Sequence, residues 1–332
     1  MDLRWFSTIL IAAWGLVARA DGPGSDRGPA LPPKTGVALS QAPSIAQRIA
    51  ELDHRELAVR WRAAYALGQR AAAAKEAVAP LCKRLDAVDE HEYVRAAAAW
   101  ALGRIGEPAA AAVPSLVAAL ASQLPAVRQH AALALGHIGP AARASTPALE
   151  RLLADASPAV RAAAAASLWR LARNDRAVAL LCEMTASSDD NASYIAVTTL
   201  GALDAAGDRV PTALGAALAH RDADIRRAAA ASLGALGPAA TGPLILALSA
   251  KAAECRAAAV EPLGGLGPKH VPRVAAMLDD PAPEVRSAAA RALGRHGPQA
   301  RLALDRLLKA VEDPDATVRT AATDAIEKIR GK

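Results

Sequence analysis

The chain has 332 residues, of which 53% are apolar but only 3% aromatic, and 90 are alanine. A charged fraction of 22%, with 22 Gly and 22 Pro, excludes a disordered, collagen-like or low-complexity chain. The formal charge of +6 is spread without a Lys/Arg run, which gives nucleic-acid binding little support. Large Leu, Ile and Phe side chains are too few for one ordinary core, and small residues repeated this often predict many close helix contacts instead.

Residues 1–20 have the layout of an export signal. Arg4 precedes an apolar stretch from Trp5 to Val17, and Ala18-Arg19-Ala20 places small residues at the two positions that a signal peptidase reads. Cleavage is expected before Asp21, leaving a net charge of +5 and sending the mature chain to a periplasmic or extracellular space. The stretch is too short for a stable membrane span. Residues 21–43 hold nine Gly or Pro in 23 positions and read as a flexible tether. Ser44 and Gln47 then have capping-box spacing, so the fold is expected to begin there and to run from 44 to 332.

From Ser44 onward one pattern, Val-Arg-x-x-Ala-x-x-x-Leu-Gly, recurs in nine copies. They start at Val59, Val94, Val127, Val160, Ala192, Ile225, Cys255, Val285 and Val318, separated by 30 to 35 residues. A period in this range without strand-like alternation is the signature of a helical solenoid. Positions zero, four, eight and eleven form one buried helix face. Position four is Ala in all nine copies, and position eight is Leu in eight and Ile326 in the last. An apolar residue followed by Gly, as in Ile105-Gly106, Ile138-Gly139 and Leu236-Gly237, predicts a helix stop. A companion helix is expected before each copy, often opened by Pro, as at Pro80, Pro114, Pro147, Pro211, Pro243 and Pro272. Each unit is then two antiparallel helices of about a dozen residues.

This pattern resembles the HEAT repeats, and within them the short, Ala-rich repeats of phycobilisome lyase-type HEAT-like proteins. The resemblance covers residues 44–332. It implies an all-α fold, a right-handed armadillo/HEAT-like superhelix of about nine antiparallel helix pairs whose second helices line the concave side. It also implies an inter-repeat ladder of Asp and Arg, built here from Arg60, Arg95, Arg128, Arg161, Arg226, Arg256, Arg286 and Arg319. Acids such as Asp222, Asp224, Glu284, Asp313 and Asp315 stand ready to pair with them. Copy five departs with Ser193 in place of Arg, and copy four with Trp169 in place of Gly.

Positions two, six and ten of the second helices form a stripe opposite the buried face. All six aromatics after residue 20 precede residue 195, and Trp61, Tyr65, Trp100 and Tyr194 fall on this stripe, as do Arg104, His137 and Arg170. Exposed aromatics beside Arg are the material of protein hot spots, so these seven residues are the candidate partner-binding set. The alternative is that the large rings seal the first repeat, or that residues 21–43 fold back over them.

Catalysis has little support. The seven histidines are scattered, no His-Glu-x-x-His motif or nucleophile elbow occurs, and only His91-Glu92 matches the His-Glu pairs by which one HEAT-like hydroxylase holds iron. Cys82, Cys182 and Cys255 lack metal or disulfide spacing and read as packed thiols. Asn191-Ala192-Ser193 matches a glycosylation acceptor. No metal, cofactor or nucleic-acid partner is expected. The reading is an exported, non-enzymatic scaffold or adaptor for a protein or peptide. The alternative implied by the lyase-type resemblance is assistance in attaching or detaching a bilin.

Overall fold

The computed structural model describes residues 43–203 and 207–331. The expected export signal and all of the expected tether but its last residue lie outside them. Every element among the described residues is helical. The chain divides into two compact units, one ending at Leu180 and the other beginning at Leu181.

In the first unit, α1 (Ile45–Glu51) opens on the expected capping box. Ser44 Oγ accepts from Gln47 N, and the Gln47 side chain accepts from Ser44 N. The second helices follow as α2 (Leu57–Gln69), α4 (Glu92–Ile105), α6 (Pro125–Ile138) and α8 (Pro158–Ala172). They pack side by side in that order, and α3 (Val78–Asp86), α5 (Val113–Ala119) and α7 (Thr146–Arg151) each lie against the second helix that follows. Helix α9 (Asp175–Met184) carries the chain across the boundary.

The second unit repeats the arrangement. Its second helices are α10 (Asp190–Gly201), α12 (Ala223–Leu236), α14 (Ala253–Gly265), α16 (Pro283–Arg295) and α18 (Ala316–Arg330). The first helices are α11 (Arg209–Ala217), α13 (Thr241–Ala247), α15 (Val271–Ala276) and α17 (Leu304–Ala310). The boundary falls where the repeat departs from its own pattern, beside Trp169 and just before the copy that lacks its arginine.

The two columns that define the repeat are the core. All nine position-four alanines, from Ala63 to Ala322, have no exposed surface, and neither do the eight leucines from Leu67 to Leu293. A methyl at that height lets the neighbouring helix approach, and the Leu four residues on supplies most of the burial per helix.

The first helices are shorter than expected. They run six to ten residues against 12 to 15 for the second helices, because 310 turns such as Glu107–Ala112 and Gly139–Ser145 take up much of the connection. The stops are read correctly from the sequence: Gly106 and Gly139 follow α4 and α6 at φ of 75° and 80°, where a side chain would be strained. A stretch from Ala223 to Ala247 is apolar and long enough to cross a membrane. It is two helices, α12 and α13, broken at Gly237-Pro238.

The arginine column has one geometry with three outcomes. Arg60, Arg128, Arg161, Arg226, Arg256, Arg286 and Arg319 each donate from Nη1 to the two carbonyls six and five residues earlier, closing the turn before their own helix. Four of them also reach a carboxylate of the next repeat: Arg60 to Glu90, Arg128 to Asp155, Arg256 to Asp280 and Arg286 to Asp313. Arg95 differs and donates to Leu85 O.

Of the acids expected in this ladder, Asp313 alone is in it. Asp222 and Asp315 cap α12 and α18, and Asp224 pairs with Arg227 on its own helix. A ladder acid must stand four or five residues before the next copy, where one of the two oxygens held by the arginine can also accept a turn N–H, as Asp155 Oδ1 does from Ser157.

Copy five keeps part of the contact without its arginine. Ser193 is fully buried, and its hydroxyl lies 3.1 Å from Ser187 O, the carbonyl six residues back, and 3.3 Å from Met184 O. The same burial takes Ser193 of Asn191-Ala192-Ser193 off the surface, and Asn191, the residue that would carry a glycan, is half-buried at the start of α10.

Candidate functional site

The expected stripe does not present its aromatics as exposed anchors. Trp61 is 1% exposed and Trp100 is 9% exposed. Tyr65, half-buried, stacks on both, at 5.9 Å and 18° from Trp61 and at 4.8 Å and 11° from Trp100. A neighbouring glycine makes this possible. A Cβ on Gly68 would stand 2.4 Å from Trp100 Cζ3, so the bare backbone of α2 is the space that the indole of α4 fills.

The same device recurs down the column. The position-nine glycine of one copy receives the position-seven residue of the next: Gly103 faces Ala134, Gly136 faces Ser167, Gly201 faces Ser232 and Gly294 faces Ala325. Ser167 Oγ donates to Ala132 O at 2.7 Å and Ser232 Oγ to Val197 O at 3.2 Å, so two of these contacts are hydrogen-bonded across helices. These serines are absent from the candidate set. Their signal is a Gly followed about thirty residues later by a small residue two columns earlier.

Close approach at the glycines brings the next column into register. Arg104, His137 and Arg170 each occupy position ten, on α4, α6 and α8, and all three are half-buried. Burial, then Arg170, then Arg104 hold the His137 imidazolium down to a pKa of about 3. Burial also lowers the pKa of Arg104, which the nearby Tyr65 opposes. Three nitrogenous side chains on successive helices thus share one electrostatic environment. Beyond them, the guanidinium of Arg173 lies 4.9 Å over the Trp169 ring.

Tyr194, the seventh candidate, belongs to the second unit on α10, is half-buried, and has a backbone carbonyl that accepts from Thr198. In the second unit the stripe is salted with acid. Arg291 and Arg295 both reach Glu261, at 3.1 and 2.9 Å. No group of three or more His, Cys, Asp or Glu residues that could hold a metal occurs among the described residues. Cys255 is buried and Cys82 and Cys182 half-buried, and desolvation raises all three thiol pKa values.

Two layers of short helices, repeated with buried Ala and Leu columns and tied by arginines, define an α-solenoid of helix-pair repeats. Models of the HEAT repeats match residues 45–113, 113–201 and 241–327, which is most of the chain. The chain belongs to the HEAT-repeat family.

Among solved structures, the Kap95:Nup1 complex contains a chain alike in fold. Its TM-score is 0.53 at 16% identity over 86% of this chain and 45% of that one. This chain therefore spans less than half of that neighbour. An engineered protein aligns over 99% of this chain and 97% of its own, with 22% identity and a TM-score of 0.40. No curated protein matches.

Proposed function

We propose that this protein is an exported, non-enzymatic scaffold or adaptor that holds a protein or peptide partner along the second-helix face of its repeats. The observation that carries this reading is the Arg104–His137–Arg170 row beside the Trp61–Tyr65–Trp100 stack. Polar heads on successive helices can each take one contact from the same ligand, while the rings behind them give the surface a rigid base. The likeness of fold to a chain in the Kap95:Nup1 complex, itself an assembly of two named proteins, supports the class of activity and nothing narrower. Nothing in the half-buried row resembles a nucleophile with its base, and the thiols are desolvated rather than activated.

Export rests on the pattern of residues 1–20, and the second-helix face as the concave one rests on the repeat family. The test is affinity capture from the source's exported fraction with the mature chain and with an Arg104→Gln/Arg170→Gln variant of equal melting temperature. The scaffold reading expects a partner that the variant loses. A partner held equally by both chains moves the binding surface elsewhere. The lyase-type reading expects an absorbance change when the protein is mixed with a free bilin, and an unchanged spectrum removes it.

A further inference from the structure

The charge of the first unit is segregated by layer. Helices α2, α6 and α8 contain no Asp or Glu, and in α4 the one acid is Glu92, its first residue. The acids of this unit sit in the first helices and turns, where Glu90 and Asp155 are committed to the ladder. The second unit is built otherwise, with Asp224, Glu254, Glu261, Glu284, Asp324 and Glu327 within its second helices. Several of its exposed arginines pair with these or neighbouring acids: Arg227 with Asp224, and Arg291 and Arg295 with Glu261.

We propose that the Arg104–His137–Arg170 row of the first unit recognises an extended acidic peptide whose carboxylates recur every third residue. The proposal rests on the scaffold reading and names the partner's chemistry. Charge complementarity gives the sign, because the row places two guanidiniums, with a neutral imidazole between them, on helices with no carboxylate of their own beyond Glu92. Geometry gives the spacing. The three residues are 33 apart in sequence and stand on neighbouring helices, about 10 Å apart at such contacts. An extended chain rises roughly 3.3 Å per residue, so three residues cover one rung.

Two arginine forks with a histidine between them suit carboxylates, which accept two parallel N–H bonds from a guanidinium. The depressed imidazole adds to this, since an anion placed between Arg104 and Arg170 would offset the repulsion that keeps His137 neutral. Tyr65 and Trp100 lie at the Arg104 end of the row. An apolar residue flanking the first carboxylate therefore belongs at that end of the ligand.

The test is fluorescence anisotropy with the intact chain and three labelled dodecapeptides. One has glutamate at every third position, one has the same composition with its glutamates consecutive, and one replaces glutamate by lysine. The proposal expects the spaced peptide to bind at least tenfold tighter than the consecutive one, the lysine peptide not to bind, and affinity to fall with added salt. Arg104→Gln/Arg170→Gln should weaken the spaced peptide roughly tenfold at unchanged melting temperature, and Arg291→Gln/Arg295→Gln should leave it unaltered. Equal binding of both glutamate peptides overturns the spacing, and tighter binding of a single-stranded oligonucleotide overturns the partner class.

Binding that appears only in an Asp21→Asn/Asp26→Asn chain would show that the row serves the chain's own N-terminal segment, which also overturns the proposal. A protein partner captured through the row by a chain that ignores every peptide overturns the peptide chemistry and leaves the scaffold reading standing.

Discussion

Arg128 and Asp155 belong to successive repeats and meet fork to fork, with Nε 2.8 Å from Oδ2 and Nη2 2.9 Å from Oδ1. Arg128 also closes the turn before its own helix, and Asp155 accepts from Ser157 N in the turn before the next. One ion pair therefore fixes two turns and the register between repeats. The pair is largely buried, with side-chain exposures of 14% and 7%.

Removing one partner of such a pair strands the other. Arg128→Met is expected to cost about 3 kcal/mol, at the lower edge of the range for buried pairs, and Arg128→Met/Asp155→Ala about half of that. Burial alone would raise the Asp155 pKa, but the hydrogen bond from Arg128 and that from Ser157 N outweigh it and lower the value. A lowered carboxylate pKa contributes stability that is full above the unfolded value of about 4 and lost as pH falls through the folded one. Urea titrations from pH 7 to pH 3 check both points. A single variant with wild-type stability would refute the pairing.

The glycine column is expected to be intolerant of even one methyl. A Cβ on Gly103 would lie 2.8 Å from Ala134 Cα, and because that atom is backbone, α4 and α6 would have to separate. Gly103→Ala should cost about 1–3 kcal/mol despite the better helix propensity of alanine. At Gly139, where no atom approaches a Cβ within 4 Å, the cost of Gly139→Ala comes from φ alone. Calorimetric melting of both variants checks this, and because the obstructing Cα remains in an Ala134→Gly background, that second change is expected to leave most of the Gly103→Ala loss in place.

Acid should weaken the first unit well before its carboxylates protonate. His130 is 6% exposed, and desolvation holds its pKa down to about 4. The unfolded chain takes up a proton near pH 6.5 and the folded chain does not. Stability is therefore full above that pH and declines as pH falls toward 4, by up to roughly 3 kcal/mol. His130→Gln should flatten this slope in urea midpoints measured between pH 7 and pH 4.5. An unchanged slope would assign the acid sensitivity to other groups, His137 first among them.

Copy five is expected to exchange its amides earliest. Its hydroxyl replaces a guanidinium that binds two carbonyls in seven copies and, in four of them, a carboxylate of the next repeat, so α10 lacks that tie. Because repeat arrays lose structure at their weakest neighbour contact, native-state hydrogen exchange should show lower protection in Asp190–Gly201 than in Pro125–Ile138. Uniform protection across both helices would contradict this.

The columns were legible in the amino-acid sequence because a period of 30 to 35 residues forces the same side chain to meet the same neighbour each time. The position-four alanines and the position-eight leucines follow from that, while the Ser44 cap was legible from its local spacing to Gln47. Trp61 and Trp100 were misread as exposed for a physical reason. A helical wheel places positions two and six away from the buried face of their own helix pair. It does not show that Gly68 lets Trp100 of the next second helix pack against α2, where both indoles flank Tyr65.

The acids of the ladder were equally hidden, because Asp222 and Asp313 both read as acids ahead of an arginine, and only their different distance from the next helix decides that Asp222 caps it while Asp313 meets the arginine of the repeat before. The position-ten row was named residue by residue, but its shared electrostatics depended on helix spacing that the sequence does not state.

The central claim, that the second-helix face of the first unit is the binding surface, is tested most directly by site-specific photo-crosslinking. A photoreactive residue at Gln69 or Gln129 samples that face, and one at Ala118 or Arg151 samples the first-helix layer. With the captured partner or the spaced acidic peptide added, adducts are predicted at Gln69 and Gln129 and none at Ala118 or Arg151. Adducts confined to Ala118 and Arg151 would contradict the account.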